Sequence, residues 1–313
     1  MAHPIPKAGL QMLTGLQVDA NDQAGPLAKT DLISRAKDAQ AVISFLSDKI
    51  DEEVLAACPN LKIVSNYAVG FDNVDLSAAA KHGVVVTNTP DVLTEAVAEH
   101  TIALMLAASR RIVEADRFMR AGKYKMWEAD LFLGKQLKGS VMGILGCGRI
   151  GARVAEIANQ GFGMEIIYYD EHRNQALEEH LGAKFVEQAD LIGQADVLSI
   201  HLPLTQSTRH LMDAAKFSQM KPDAILINTS RGPIIDEVAF VEALRNKTIA
   251  AAGLDVFESE PNMAPGLAEL DNVVVTPHMA SATITARDDM ARLAAQAVLD
   301  VAAGKIPAHV VAK

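Results

Sequence analysis

An apolar run, Val141-Met142-Gly143-Ile144-Leu145, breaks directly into Gly146-Cys147-Gly148-Arg149-Ile150-Gly151. Three glycines at this spacing commit the chain to a buried strand, a tight turn and the start of a helix. Gly146 permits the sharp exit from the strand, Gly148 lets a ligand approach the backbone where a Cβ would stand, and Gly151 lets the helix pack closely on the strand. The first amides of that helix have no partner within it and carry partial positive charge, so they suit a diphosphate. A second apolar run, 165–169, ends in Asp170, 19 residues after Gly151. That is where a carboxylate accepts hydrogen bonds from an adenosine ribose. A glycine turn alone equally serves to join strand to helix, and a strand-end aspartate alone is equally a solvated charge. Strand, glycines, helix, second strand and acid together favour dinucleotide binding.

At 313 residues the chain suggests about two domains. Half of its residues are hydrophobic, enough for a sizeable core. No apolar run approaches the roughly 20 residues that span a bilayer, and residues 1–7 show no basic segment leading into an apolar one. Cys58 and Cys147 are the only cysteines, which fits a reducing cytoplasm. A net charge of −10 with 4% aromatic residues argues against a nucleic-acid surface. It does not argue against a small anion, because one arginine can hold a carboxylate.

Residues 7–16 read as a short helix with Ile5, Leu10 and Leu13 on its apolar side. Strands are expected at 41–45, 61–65 and 83–87, with helices at 51–57 and 76–81 between them. This alternation predicts a parallel sheet covered on both faces. The loop 66–72, with Val69 and Gly70, follows one of these strands and is either a carboxylate-binding loop or a simple glycine turn. A helix is expected over 94–111, since Ala98, Ile102, Met105, Leu106 and Ser109 recur at helical spacing. Residues 118–134, with Tyr124, Met126, Trp127, Leu131 and Phe132, form an apolar stretch without period, read as a dimerisation arm rather than a loop packed on its own subunit. After the glycine turn the alternation continues with strands at 196–201, 223–228, 249–254 and 272–276, and a helix over 283–303.

These late strands deliver polar groups at their carboxyl ends, where a doubly wound sheet keeps its site. Arg231 could bind a carboxylate bidentately and polarise an adjacent carbonyl. His278 belongs to the one residue type that exchanges a proton near neutral pH. Glu260, if it reached His278, would fix the imidazole tautomer. Taken singly, each is as readily a strand-end charge or a structural side chain; their joint placement beside a dinucleotide fold points to keto-acid reduction, which needs a proton donor and a carboxylate anchor. His201, placed near the cofactor, is read as a structural or backbone-contact position, and Cys147 as without a redox role.

The segments Val69-Gly70-Phe71-Asp72, Gly146 to Gly151, His201-Leu202-Pro203-Leu204-Thr205, Asn228-Thr229-Ser230-Arg231-Gly232, 253–261 and Thr276-Pro277-His278 together resemble the D-isomer-specific 2-hydroxyacid dehydrogenase family over nearly the whole chain. The resemblance implies an α/β protein in which a doubly wound parallel-sheet (Rossmann) nucleotide domain, 93–281, is inserted into a smaller flavodoxin-like substrate domain, 1–92 plus 282–313. It implies Arg231, Glu260 and His278 as catalytic residues. Substrate binding would involve the amides of Val69 and Gly70 with Arg231 and His278. Cofactor contacts would come from Gly146, Gly148, Arg149, Ile150, Gly151, Asp170, Leu202, Pro203, Thr208, Thr229, Ser230 and Asp255. The implied partners are NAD and a small 2-keto acid, with no metal, nucleic acid or membrane, in a homodimer. Asp170 favours NAD, while His172 and Arg173 leave NADP open. Residues 120–127 and 132–134 are most similar to glyoxylate and hydroxypyruvate reductases; phosphoglycerate-type and D-lactate-type dehydrogenases share the core motifs, and a nucleotide-sensing corepressor on the same fold is a reading of a different class. Family members usually begin with a strand before the Pro-Ile-Pro segment, whereas this sequence starts almost at that segment, so the substrate domain is expected without its first strand.

Overall fold

A computed structural model of the protein describes residues 1–21, 25 and 27–312. Its chain divides into two units, Met1–Leu93 with Ala282–Lys313, and Thr94–Ser281.

In the first unit, α1 (Lys7–Leu10) passes into a short 3-10 turn and α2 (Lys29–Ala36) leads to β1 (Ala41–Ser44). Then come α3 (Glu52–Ala57), β2 (Ile63–Asn66), α4 (Leu76–Lys81) and β3 (Val85–Thr87). The helix starts are encoded locally: Asp51 accepts the Val54 amide at the head of α3, and Asp75 the Ala78 amide at the head of α4. The expected helix over 7–16 is shorter, because residues 11–13 tighten into the 3-10 turn; Leu13 is buried but Leu10 is exposed.

The second unit opens with α5 (Thr94–Ser109), which stops before the expected Arg111. Arg111 takes a left-handed backbone, φ 52°, and starts α6 (Ile112–Arg120). There follow β4 (Val141–Leu145), α7 (Arg149–Phe162), β5 (Glu165–Tyr169), α8 (Gln175–Leu181), β6 (Lys184–Phe185), α9 (Gln188–Gln194) and β7 (Val197–Ile200). The unit ends with α10 (Ala214–Phe217), β8 (Ile225–Asn228), α11 (Glu237–Arg245), β9 (Ala251–Leu254) and β10 (Val273–Val275). These strands pair in parallel in the order β10-β9-β8-β7-β4-β5-β6. The order reverses beside β4, which is where an open α/β sheet leaves a crevice at its carboxyl edge. Both faces are buried, and the strands show it residue by residue. Met142 and Ile144 of β4 and Ile225 and Ile227 of β8 pack in one cluster with Ile102 and Met105 of α5 and Val154 of α7. Leu145, Leu198, Ile200 and Leu226 point the other way, into a cluster with Phe217 and Phe240. With both faces covered, the sheet is open to a ligand only at its strand ends.

The chain returns to the first unit through α12 (Ile284–Ala302), whose start is capped by Thr283, and β11 (Val310–Ala312). Among the described residues the first unit's sheet has the order β1-β2-β3-β11, with β11 antiparallel to β3. Neither β11 nor α2 was legible in the sequence. Beside β1, the Ala2 amide donates to the Ile43 carbonyl at 3.1 Å. Helix α12 lies against α1 so closely that a Cβ on Gly9 would stand 2.4 Å from the Ala291 carbonyl oxygen. No helix among the described residues is long and apolar enough to cross a membrane.

Candidate active site

The three fingerprint glycines have three different surroundings. Gly146 sits at φ +97°, and a Cβ there would lie 2.8 Å from the backbone of His201 at the end of β7. A Cβ on Gly151 would lie 2.1 Å from the Gly146 carbonyl oxygen, so α7 is seated directly on the turn. A Cβ on Gly148 would meet nothing within 4 Å. The open side of the turn is therefore at Gly148, the N-cap of α7, which has no side-chain cap. An unfilled cradle at the positive end of a 14-residue helix fits the diphosphate of a dinucleotide.

Asp170 closes β5 next to this turn. Its carboxylate accepts the Cys147 amide at 2.6 Å and the His172 amide at 3.2 Å. Arg173, which could have received an additional phosphate, is held elsewhere: it grips Glu178 at 3.1 and 2.7 Å and lies over the Phe185 ring. That pairing holds Glu178 below the ordinary carboxylate range, the Arg173 bond first and the Tyr168 hydroxyl second.

His201, just past β7, turns back on its own strand. Its Nε2 lies 2.8 Å from the Ser199 hydroxyl, and burial of the ring lowers its pKa to about 3. Leu202, Pro203 and Thr208 lie in the loop that follows β7, where the Thr208 hydroxyl donates to the Pro203 carbonyl at 2.7 Å. Thr229, at the end of β8, is buried against Thr101 of α5, hydroxyl to hydroxyl at 2.8 Å. Ser230 turns back on Asn228, with both its amide and its hydroxyl donating to the Asn228 side-chain oxygen at 3.0 and 2.9 Å.

Arg231 follows this turn and donates to the Ser230 carbonyl at 2.7 Å. What brings it to the other candidates is the next residue: a Cβ on Gly232 would stand 1.9 Å from the Phe257 carbonyl carbon. Only a glycine lets the Arg231 turn press on the segment that leads to Glu260. Glu260 accepts the Phe257 amide at 3.1 Å with Oε1 and meets His278 Nδ1 at 2.9 Å with Oε2. A carboxylate can only accept, so Nδ1 carries the hydrogen and Nε2 is left to exchange a proton. The His278 side chain is 29% exposed, open enough to meet a substrate.

Asp255 behaves differently from a simple cofactor contact. It is fully buried, and its carboxylate is engaged by Thr276, Met279, Ala280 and His100. His100 was not singled out in the sequence; a histidine in the apolar helix α5 gives no signal until β10 and its loop are placed beside it. In the first unit, the loop after β2 has its carbonyls tied down. Asn88 donates to that of Val69 and Asn66 to that of Gly70, both at 2.8 Å.

A doubly wound sheet with a phosphate cradle and a histidine–carboxylate pair along one edge defines a dinucleotide-dependent oxidoreductase. Residues 102–280 match the model of the "D-isomer specific 2-hydroxyacid dehydrogenase, NAD binding domain". A glyoxylate reductase of Thermococcus litoralis is 44% identical over 99% of this chain and 95% of its own. One from Aeropyrum pernix is 48% identical over 94% and 89%. A crystal structure of a Thermus thermophilus protein superposes with a TM-score of 0.93 at 40% identity, covering 99% of this chain and 98% of that one. The chain belongs to the D-isomer specific 2-hydroxyacid dehydrogenase family, and its nucleotide is a nicotinamide adenine dinucleotide.

The thiols are outside this chemistry. Burial pushes Cys147 up to about 12, outweighing the Asn174 hydrogen bond that opposes it, with a smaller push from the Asp170 charge, and burial also raises Cys58. The thiolate is the reactive form, and a raised pKa removes it at neutral pH. Iodoacetamide at pH 8 is therefore expected to leave both cysteines of the native chain unlabelled and to modify both in denaturant, as read by intact mass. Labelling of Cys147 in the native chain would contradict this environment.

Proposed function

We propose that this chain reduces glyoxylate or hydroxypyruvate to the 2-hydroxy acid, in the D configuration where the product is chiral, with NADH as the preferred donor. The observation that carries the reading is the 2.9 Å contact between His278 Nδ1 and Glu260 Oε2 at the carboxyl edge of the sheet that also bears the Gly148 cradle. The names of the relatives support the choice of substrate.

The bound nicotinamide supplies the hydride. Arg231 holds the substrate carboxylate and polarises the keto oxygen, and the amides of Val69 and Gly70 hold the carboxylate as well. His278 gives its Nε2 proton to the developing alkoxide, while Glu260 balances the imidazolium and keeps Nδ1 as the inward donor. In the reverse direction the same nitrogen takes the proton from the hydroxyl. Gly146, Gly148, Arg149, Ile150 and Gly151 hold the diphosphate. Leu202, Pro203, Thr208, Thr229 and Ser230 flank the nucleotide, and Asp255 acts through the loop behind it. The reading includes a cytoplasmic location, consistent with two free, buried thiols.

Loss of NADH absorbance on adding glyoxylate or hydroxypyruvate tests the activity; no turnover across a panel of keto acids with either cofactor would end the reading. His278→Ala is expected to lower kcat by about 10²- to 10⁴-fold, the usual worth of a general acid, with little change in KM. Full activity in that variant would remove His278 from the proton path.

Asp170 repels a 2′-phosphate, and Arg173 is committed to Glu178. Asp170→Ala is expected to lower the ratio of kcat/KM for NADH over NADPH by roughly tenfold, about 1.4 kcal/mol of lost discrimination. An unchanged ratio would show that selectivity lies elsewhere.

The reading also includes a homodimer. Ile112, Met119, Met126, Trp127 and Leu133 are more than half exposed, Trp127 at 75%. An apolar set this dense calls for a partner surface. Light scattering is expected to give the mass of two chains, and Trp127→Asp together with Met126→Asp to weaken the association; a wild-type monomer would refute it.

A further inference from the structure

One buried residue makes most of the bonds that hold the turn carrying His278. His278 has a φ of 51°, a left-handed backbone that a residue with a Cβ keeps only when its surroundings impose it. Three consecutive amides are claimed by Asp255. That of His278 donates to the Asp255 carbonyl at 2.8 Å, that of Met279 to Oδ1 at 2.8 Å, and that of Ala280 to Oδ2 at 2.7 Å.

Burial opposes a charge on Asp255, but hydrogen bonds from His100, Thr276 and the two amides overcome it and hold the carboxyl below its usual range. The Thr276 hydroxyl donates to Oδ1 at 2.6 Å. Having spent its hydrogen there, it can only accept from His100 Nε2, which lies 3.0 Å away. Nε2 of His100 therefore carries a hydrogen, and it also faces Asp255 Oδ1 at 3.5 Å. His100 sits on α5, whose packing against the strands fixes it in place, and its neighbour Thr101 ties the end of β8 in the same way through Thr229.

We propose that His100 is a positioning residue: donating from Nε2 to Thr276 and Asp255, it orients the buried carboxylate that pins the amides of Met279 and Ala280 and so fixes the backbone at His278. The inference rests on the reading of His278 as the proton donor. His100 touches neither substrate nor cofactor in this scheme. It transmits the rigidity of α5 to the turn through one hydroxyl and one carboxylate.

Two variants separate this from simple packing. His100→Leu keeps the bulk without the donor; His100→Gln keeps an N–H donor of similar reach. Three measurements are made on the full chain: hydrogen exchange of a peptide covering 276–281, steady-state kinetics with NADH and glyoxylate, and the thermal midpoint. His100→Leu is expected to exchange this segment about tenfold faster and to lose about tenfold in kcat, with the KM for NADH within about twofold and the midpoint within a few degrees. His100→Gln is expected to restore both exchange and kcat to within about threefold of wild type. Thr276→Val, which breaks the relay but leaves the imidazole, is expected to reproduce His100→Leu and serves in its place if that variant fails to fold.

Wild-type exchange and kcat in a folded His100→Leu chain would overturn the proposal, as would a folded His100→Gln chain as impaired as His100→Leu. If the wild type reduces no keto acid, the functional reading falls, while the exchange rates still decide whether His100 holds the turn.

Discussion

Burial of the parallel sheet of Thr94–Ser281 on both faces is the constraint from which the site follows. With Ile144 and Ile227 packed to one side and Leu145 and Leu226 to the other, the middle of the sheet is closed to a ligand. Chemistry is displaced to the carboxyl edge, where chain reversals leave backbone amides and short loops. Gly146, Asp170, Arg231, Asp255 and His278 all lie just past the ends of strands in this one sheet. The crevice beside β4 and the cradle at Gly148 are products of the same topology.

An edge made of loops has to be stiffened, and the stiffening comes from a few contacts that leave no room for substitution. Gly232 lets the Arg231 turn lie on the backbone of Phe257, which places Arg231 and the Glu260 segment in one register. Gly151 seats α7 on the turn it caps. Asp255 does the equivalent work electrostatically: a carboxylate with no solvent is kept charged by donors from α5, from Thr276 and from the loop it organises. A buried charge is tolerable only with its hydrogen bonds complete, so its demand for partners orders the loop.

The contrast between Arg173 and Arg231 shows how neighbours decide the role of a charge. Arg173 stands three residues after Asp170, yet Glu178 and the Phe185 ring take its guanidinium. Arg231 is held through its turn, at the edge that Glu260 and His278 share. The two thiols are set aside in a similar way, since burial leaves them in the unreactive form.

Much of this was legible before folding. Alternating strands and helices, the turn at Gly146 and the acid at Asp170 follow from hydrophobic period and from steric demands within a few residues, so the sequence by itself determined them. It also offered Arg231, Glu260 and His278 as a set. Other features depended on distant neighbours. The helix over 94–111 broke at Arg111, and β11 returned antiparallel to β3 from the far end of the chain. His100 found its partner 176 residues away in Thr276. Only the tertiary structure decided these, and it alone decided that Glu260 reaches His278 and that Arg173 is taken by Glu178. A periodic pattern is a property of adjacent residues, whereas a hydrogen bond across a sheet edge exists only once strand order and loop path have set the two groups about 3 Å apart.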